Sequence, residues 1–346
     1  MNCRICGSGQ IGLAGIVEFF SGYAFPVFDC ADCDCRFTWH DPSAYESFYA
    51  EARSCYRRYL DQAARCKALF DRGDLAALRA ELAAAAKYRF IIEELDREPR
   101  SACFLEMGCS RGHLTSYFIL AGRRITGVDA SARAVAAATE AFGSHFVCEG
   151  DPAIAAGAPY DAIYHVGTIG CVADPVGMTQ RLLRLLKPGG RLLFNVPNRE
   201  SCHLRGQLWI DSAPPPDVVT LFPPGFWRRY LADSAEVREE VELYPPERAL
   251  FVGLQRFVRL RWRKPVPVPL GEGECASVSS RVYGNALWRF LERLLRRAGK
   301  VPALTGIAPS HPTEFGLFVC MTKKDGVHAR PSAFKSGDRR VVAAPI

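Results

Sequence analysis

Between residues 101 and 200 the chain alternates short, nearly unbroken apolar runs with amphipathic stretches of helical period. The predicted strands are Cys103–Met107, Arg124–Asp129, His145–Val147, Asp161–Val166 and Arg191–Val196. Between them Leu114–Leu120, Ala132–Ala141 and Pro175–Leu186 read as helices. Strands that lack polar alternation are buried on both faces, and the intervening helices supply the cover. The expected fold class is therefore α/β with a mostly parallel sheet.

The richest segment of that region runs from Phe104 through Glu106, Gly108, Cys109, Ser110 and Gly112 to Leu114. A strand enters a glycine-bearing turn and leaves as a helix. Gly108 permits a sharp turn and Gly112 a close approach at the helix start, which bares backbone for a bound cofactor. A glycine replaced by Ser110 is tolerated if that residue keeps a negative φ. The second strand ends Gly127-Val128-Asp129-Ala130-Ser131, where an acid is placed to accept from two ribose hydroxyls. The third ends near Gly150-Asp151-Pro152, where a carboxylate suits the exocyclic amine of a purine. A dehydrogenase Rossmann turn would need G-x-G-x-x-G, a spacing this segment does not supply.

Taken in order, these motifs resemble the class I S-adenosylmethionine-dependent methyltransferases. Their first motif, roughly E-x-G-C-G-x-G, is matched at Glu106, Gly108, Cys109 and Gly112, and the following G-x-D-x-S at Gly127, Asp129 and Ser131. Tyr160-Asp161-Ala162-Ile163, Ala173-Asp174-Pro175 and the Lys187-Pro188-Gly189-Gly190 turn extend the likeness over residues 103–198. The resemblance implies a Rossmann-like domain with a seven-stranded sheet and S-adenosyl-L-methionine as cofactor. It implies that Glu106, Gly108, Cys109, Ser110 and Gly112 face the methionine part, Asp129, Ala130 and Ser131 the ribose, and Asp151 and Pro152 the adenine. The transferred methyl would point toward the ends of the fourth and fifth strands, near His165–Thr168 and Asn195–Asn198, with Val166 and Gly167 bordering the cofactor. Two family features are missing: Gly170-Cys171 stands where many relatives carry Glu-His, and Pro216-Asp217 where histidines often follow a double proline.

Methyl transfer asks mainly for in-line positioning, with a base only if the acceptor must lose a proton. His165, at the end of the fourth strand, is the candidate base, a role weighed equally against a histidine hydrogen-bonded in place beside the cofactor. His113 is expected against the cofactor or the helix start, and Asn198 is placed to orient an acceptor.

Fourteen cysteines are many for a chain of 346 residues, and they crowd its start. Cys3-x-x-Cys6 and Cys30-x-x-Cys33 form two pairs 23 residues apart, the arrangement in which thiolates hold a tetrahedral zinc ion. Cys33-x-Cys35 is a poorer alternative pair. Cys103, Cys109, Cys148, Cys171 and Cys320 sit in apolar surroundings and read as small buried hydrophobes. With Gly7, Phe37, Pro42 and Phe48-Tyr49, this opening resembles the zinc module of a group of bacterial methyltransferases acting on sugars, polysaccharides and natural products. There the metal is structural; Asp34 and Cys35 depart from that group's usual Gly-Leu pair.

The expected organisation is a zinc module over residues 1–45, a helical linker over 46–100, the cofactor-binding core over 101–200, an acceptor-site insertion with C-terminal strands over 201–324, and a disordered tail over 325–346. In the linker Leu75, Leu78, Leu82, Ala85 and Ala86 recur at helical spacing, and the stripe continues through Tyr88, Ile91, Ile92 and Leu95. Later, Val258, Leu260 and Trp262 alternate like a half-buried strand; Leu287, Trp288, Leu291, Leu294 and Leu295 form an apolar helical stripe; Phe315–Met321 reads as a last strand. The start of the chain has no apolar signal core, and no apolar run is long enough to span a bilayer. A cytoplasmic enzyme with a small-molecule or glycosyl acceptor is expected. An RNA or protein methyltransferase ranks second, because the net charge of +7 lacks the aromatic interleaving of a nucleic-acid platform. A protein that binds S-adenosylmethionine without methylating is the third reading.

Overall fold

The computed structural model describes residues 1–20, 23–39, 57–201, 215–243 and 313–325, with single positions at 204, 207–210, 213, 290 and 294. The expected strand at 258–262 and the residues after 325 lie outside the described residues. So does the stripe at 287–295, apart from Leu294.

Two sheets organise the chain. In the N-terminal module β1 (Ile11–Phe20), β2 (Tyr23–Cys30) and β3 (Arg36–Thr38) pair antiparallel. The helices α1 (Arg57–Asp71), α2 (Leu75–Ala83) and α3 (Ala86–Leu95) follow. The single apolar stripe read over 75–95 is thus two helices, parted at Ala84 and Ala85. Both bury the same side chains the stripe named, Leu78, Leu82, Tyr88, Ile91, Ile92 and Leu95.

The main sheet begins with β4 (Cys103–Met107), followed by α4 (His113–Leu120), β5 (Arg124–Asp129), α5 (Ala132–Phe142) and β6 (Phe146–Cys148). The short α6 (Pro152–Ala156) then leads to β7 (Tyr160–Val166), α7 (Pro175–Arg184) and β8 (Leu186–Pro197). Further along come β9 (Thr220–Leu221), α8 (Phe226–Leu231), β10 (Ala235–Leu243) and β11 (Thr313–Lys323). The strand order is β10-β11-β8-β7-β4-β5-β6, parallel from β8 to β6 and antiparallel where β11 pairs with its two neighbours. This is the mostly parallel seven-stranded α/β sheet expected from the sequence.

Burial explains the strand sequences. Phe104, Ala162, Tyr164 and Leu193 pack with α2–α4 on one face, whereas Leu105, Ile163, Leu192 and Phe194 pack with α7 and α8 on the other. A central strand needs apolar residues at every position when both faces are covered. The chain lays down β4, β5 and β6 in one direction, then returns to add β7 on the other side of β4. The reversal leaves a crevice at the carboxyl ends of β4 and β7, the topological switch point where ligands of such sheets bind.

Candidate functional site

At that crevice the chain makes a tight turn. Gly108 (φ 75°), Ser110 (φ 52°) and Gly112 (φ 73°) all lie in the left-handed region. The positive φ at Ser110 corrects the expectation of a negative one. A serine there costs about 1–2 kcal/mol relative to a relaxed backbone, and its N–H is held at 2.8 Å by an Asp129 carboxylate oxygen. A side chain on Gly112 would meet the Phe146 ring 2.5 Å away, and one on Gly108 would collide with the Thr168 hydroxyl. The second glycine therefore admits β6 rather than β4 to the helix start. Backbone N–H groups of Gly108 and Cys109 both donate to the Val128 carbonyl, at 2.7 and 2.9 Å, which stitches the turn to β5.

Asp129 accepts from Ser110 N–H through one oxygen and from Ser131 N–H through the other, the latter at 2.9 Å. A carboxylate offers about four lone-pair directions, so two remain for a ligand. Ser131 also caps α5, its hydroxyl accepting from Ala134 N–H at 3.2 Å, and Ala130 lies exposed between them. The Cys109 side chain turns away into a cluster with Ala138, Phe142 and Phe146, leaving only its backbone at the crevice. Glu106 is fully enclosed. It accepts from the Thr115 hydroxyl and, at 3.0 Å, from Tyr164 Oη, and burial pushes its carboxyl up to about 8. Asp151 caps α6 by accepting from Ala153 N–H at 2.8 Å, with Pro152 as the first helical residue.

The loop after β7 closes the crevice from the other side. Gly167 N–H donates to Asn195 Oδ1 (3.0 Å) and the Thr168 hydroxyl to the Met107 carbonyl (3.2 Å), with Val166 half-buried before them. His165 is placed differently from the expected base. It lies fully buried, stacked on Phe194 with ring centroids 4.6 Å apart, and neither ring nitrogen finds a partner among the described residues. Burial lowers its pKa to about 3, so the ring is neutral at physiological pH. Alternation along β7 explains this, since a residue next to Tyr164 must point into the opposite core. His113 sits at the start of α4 with Nε2 2.7 Å from the Tyr88 hydroxyl, and burial lowers it to about 4. The Oδ1 of Asn198 accepts from Glu200 N–H at 2.9 Å.

In the N-terminal module four sulfurs converge. The Sγ atoms of Cys3, Cys6, Cys30 and Cys33 all lie within 4.8 Å of one another, with Cys3–Cys33 at 3.7 Å and Cys6–Cys30 at 3.6 Å. A tetrahedral zinc ion with Zn–S bonds of about 2.3 Å separates its sulfurs by about 3.8 Å, so the donor set and its spacing fit zinc. The two knuckles repeat one another. Gly7 N–H donates to the Cys3 carbonyl at 2.8 Å, and Asp34 N–H to the Cys30 carbonyl at 3.0 Å, with φ of 77° and 57° at the two donors. Asp34 thus takes the left-handed place that glycine holds in the first knuckle, which accounts for its departure from the usual pattern. Cys35 is buried beside the cluster but outside the four-sulfur set.

The module docks on the crevice side of the main sheet. Its β3 pairs with β9, Phe37 opposite Thr220, and β9 continues into a bridge between Phe222 and Asn198 at the end of β8. Arg199 spans the junction, with ion pairs to Asp29 (3.1 Å) and Asp34 (3.2 Å). Thr168 and Asn195 belong to the two strand ends that the resemblance placed near the transferred methyl, whereas Arg4 and Thr220 were not singled out in the sequence. Arg4 is visible only once residue 220 is known to lie against it.

Residues 75–234 match a family model described as a methyltransferase domain, and they span the crevice and all but the two antiparallel strands of the main sheet. Those 160 of the chain's 346 residues thus resemble a methyltransferase domain. Trans-aconitate 2-methyltransferase of Paracidovorax citrulli is 28% identical over 233 residues, 64% of this chain and 84% of that protein. Among solved structures the chain is similar to the plantazolicin methyltransferase in complex with SAH (TM-score 0.41, 13% identity, 81% of this chain and 94% of that one). It is also similar to a SAM-dependent methyltransferase from Archaeoglobus fulgidus (TM-score 0.39, 16% identity, 68% and 94%). Among the described residues of the chain, no helix is long and apolar enough to cross a membrane.

Proposed function

We propose that the chain transfers a methyl group from S-adenosylmethionine to a small-molecule acceptor, held between the crevice and the N-terminal module. The observation that carries this reading is the Ser110–Asp129 arrangement at the switch point. A strained turn is tied to an acid that keeps lone pairs free for a ribose diol.

In this reading the bared backbone of Gly108–Gly112 holds the methionine part, with Glu106 beneath it. Asp129, Ala130 and Ser131 hold the ribose, and Asp151 with Pro152 flanks the adenine. The cofactor supplies an already activated methyl group, so the protein contributes orientation and exclusion of water. Val166 and Gly167 border the transfer point. The neutral, enclosed ring of His165 supports a packing role there rather than proton abstraction. An acceptor carrying its own nucleophile needs no such base. The 28% identical relative is named for trans-aconitate, a small polyanion, which is consistent with that class; natural-product and glycosyl acceptors are the finer assignments that the zinc module suggests. Zinc on Cys3, Cys6, Cys30 and Cys33 has a folding role.

Calorimetric titration of the full chain with S-adenosylmethionine tests the reading, beside Asp129→Asn. The amide keeps the volume but removes the charge and part of the accepting capacity; Asp129→Ala would also free the Ser110 turn. Saturable binding weakened at least tenfold in Asp129→Asn, on the order of 1.4 kcal/mol, is expected. A folded protein that binds no S-adenosylmethionine would overturn the proposal.

A further inference from the structure

A path of hydrogen bonds joined by short stretches of backbone leads from the first cysteine knuckle to the cofactor turn. It begins at Arg4, which stands between the two cysteines of the first knuckle. Its Nη2 donates to the Val219 carbonyl at 3.1 Å and to the Thr220 hydroxyl. Thr38 N–H reaches the same Val219 carbonyl at 3.0 Å, so module and core share that acceptor. From the other side, the N–H groups of Val219 and Thr220 both donate to the Gly170 carbonyl, at 2.8 and 3.1 Å. Gly170 belongs to the loop after β7, in which Thr168 grips the Met107 carbonyl immediately before Gly108.

We propose that Arg4 is a positioning residue which couples zinc binding in the N-terminal module to the geometry of residues 167–171, beside the cofactor turn. The assignment of that loop to the methyl-transfer site rests on the function proposed above; the coupling itself does not.

Two features of Arg4 suit it to this task. Its Nε and Nη1 are buried and have no partner among the described residues, and a buried cation is costly unless an opposite charge lies close by. A zinc tetrathiolate carries about two net negative charges, and Arg4 is flanked in the chain by two of its ligands, Cys3 and Cys6. The thiolates that bound zinc keeps deprotonated would therefore supply the counter-charge that keeps the guanidinium in place, and the planar fork gives Nη2 two fixed acceptors where an ammonium would be a freely rotating point.

The test is amide hydrogen exchange on the full, zinc-loaded chain, with metal content measured for each variant. In Arg4→Gln the amides of 167–171 and 219–222 are expected to lose about tenfold in protection, the scale of a lost charge-assisted hydrogen bond, while β5 and β6 stay unchanged. Arg4→Lys should restore part of the loss. Should Arg4→Gln fail to hold zinc, Thr220→Val removes one acceptor without touching the knuckle and is expected to loosen the same two segments. Chelating zinc from the unaltered protein should loosen them too. If chelation or either substitution loosens only residues 1–38, the coupling is overturned. Titration of the same samples with S-adenosylmethionine reads the function separately, because failure of the unaltered protein to bind it leaves the exchange result standing.

Discussion

Ser110 holds a left-handed backbone while its N–H donates to the Asp129 carboxylate at 2.8 Å. Strain in one residue is thus balanced by a charge in another, across the gap between the first two parallel strands. Ser110→Gly removes a penalty of about 1–2 kcal/mol and returns part of it as chain entropy. We expect a net gain of about 0.5 kcal/mol, read as a higher urea midpoint at constant m-value. A lower midpoint would show that the serine side chain contributes something beyond its backbone.

Gly112→Ala brings both a forbidden φ and a methyl group 2.5 Å from the Phe146 ring. Overpacking and strain together should cost about 2–4 kcal/mol. Pairing it with Phe146→Leu relieves the overlap but not the φ, so urea denaturation of the double variant should recover only part of the loss. Full recovery would mean that the backbone at 112 tolerates a side chain.

Glu106 gives stability a pH dependence with a definite sign. Its folded carboxyl is raised by burial from the ordinary 4.5 to about 8. Between those values the folded chain holds a proton that the unfolded chain releases, so this contribution is complete below pH 4.5 and is lost as pH rises toward 8. Glu106→Gln should flatten the fall in stability between pH 5 and 8 in a series of denaturant titrations. An unchanged slope would mean that Glu106 is ionised in the fold.

His165 works in the opposite direction. Its folded pKa is lowered by burial to about 3, against an ordinary 6.5. Stability is whole above pH 6.5 and falls as acid charges the unfolded chain, down to about pH 3. His165→Phe can keep the stack on Phe194 while removing that fall, with unchanged S-adenosylmethionine affinity. Loss of cofactor binding in this variant would return His165 to the cofactor site.

Metal analysis separates the fourth ligand from its neighbour. Cys35→Ala is expected to retain one zinc per chain, because Cys35 stands outside the four-sulfur set, whereas Cys33→Ala should lose it. Equal zinc in both variants would contradict the assignment.

Much of this arrangement was legible before any coordinates. Cys103–Met107 and Arg124–Asp129 appear with the bounds the sequence suggests, because each is closed by a turn signal, Gly108 after the first and the Ser131 helix cap after the second. Gly108 and Asp129 fall together at the switch-point crevice, and the four cysteines converge as their spacing suggests. Where the reading fell short, a local signal was overridden. Strand β8 begins at Leu186, five residues before the expected Arg191, since its Lys-Pro-Gly-Gly stretch reads as a turn. The hairpin of β1 and β2 escaped notice because Gly12, Gly15 and Pro26 interrupt its pattern. His165 and Ser110 were misjudged for a shared reason: which way a side chain points at a strand end, and which φ a turn adopts, are fixed by neighbours distant in sequence.

The pairing of Phe37 with Thr220 joins residues more than 180 positions apart. During synthesis the first three strands must therefore wait for most of the chain before their sheet gains its last member, with the edge of β3 bare until then. The consequence reaches to engineering as well. An N-terminal module transplanted from a relative would arrive without its fourth strand, and a functional chimera would have to carry the segment around Val219–Phe222 along with it.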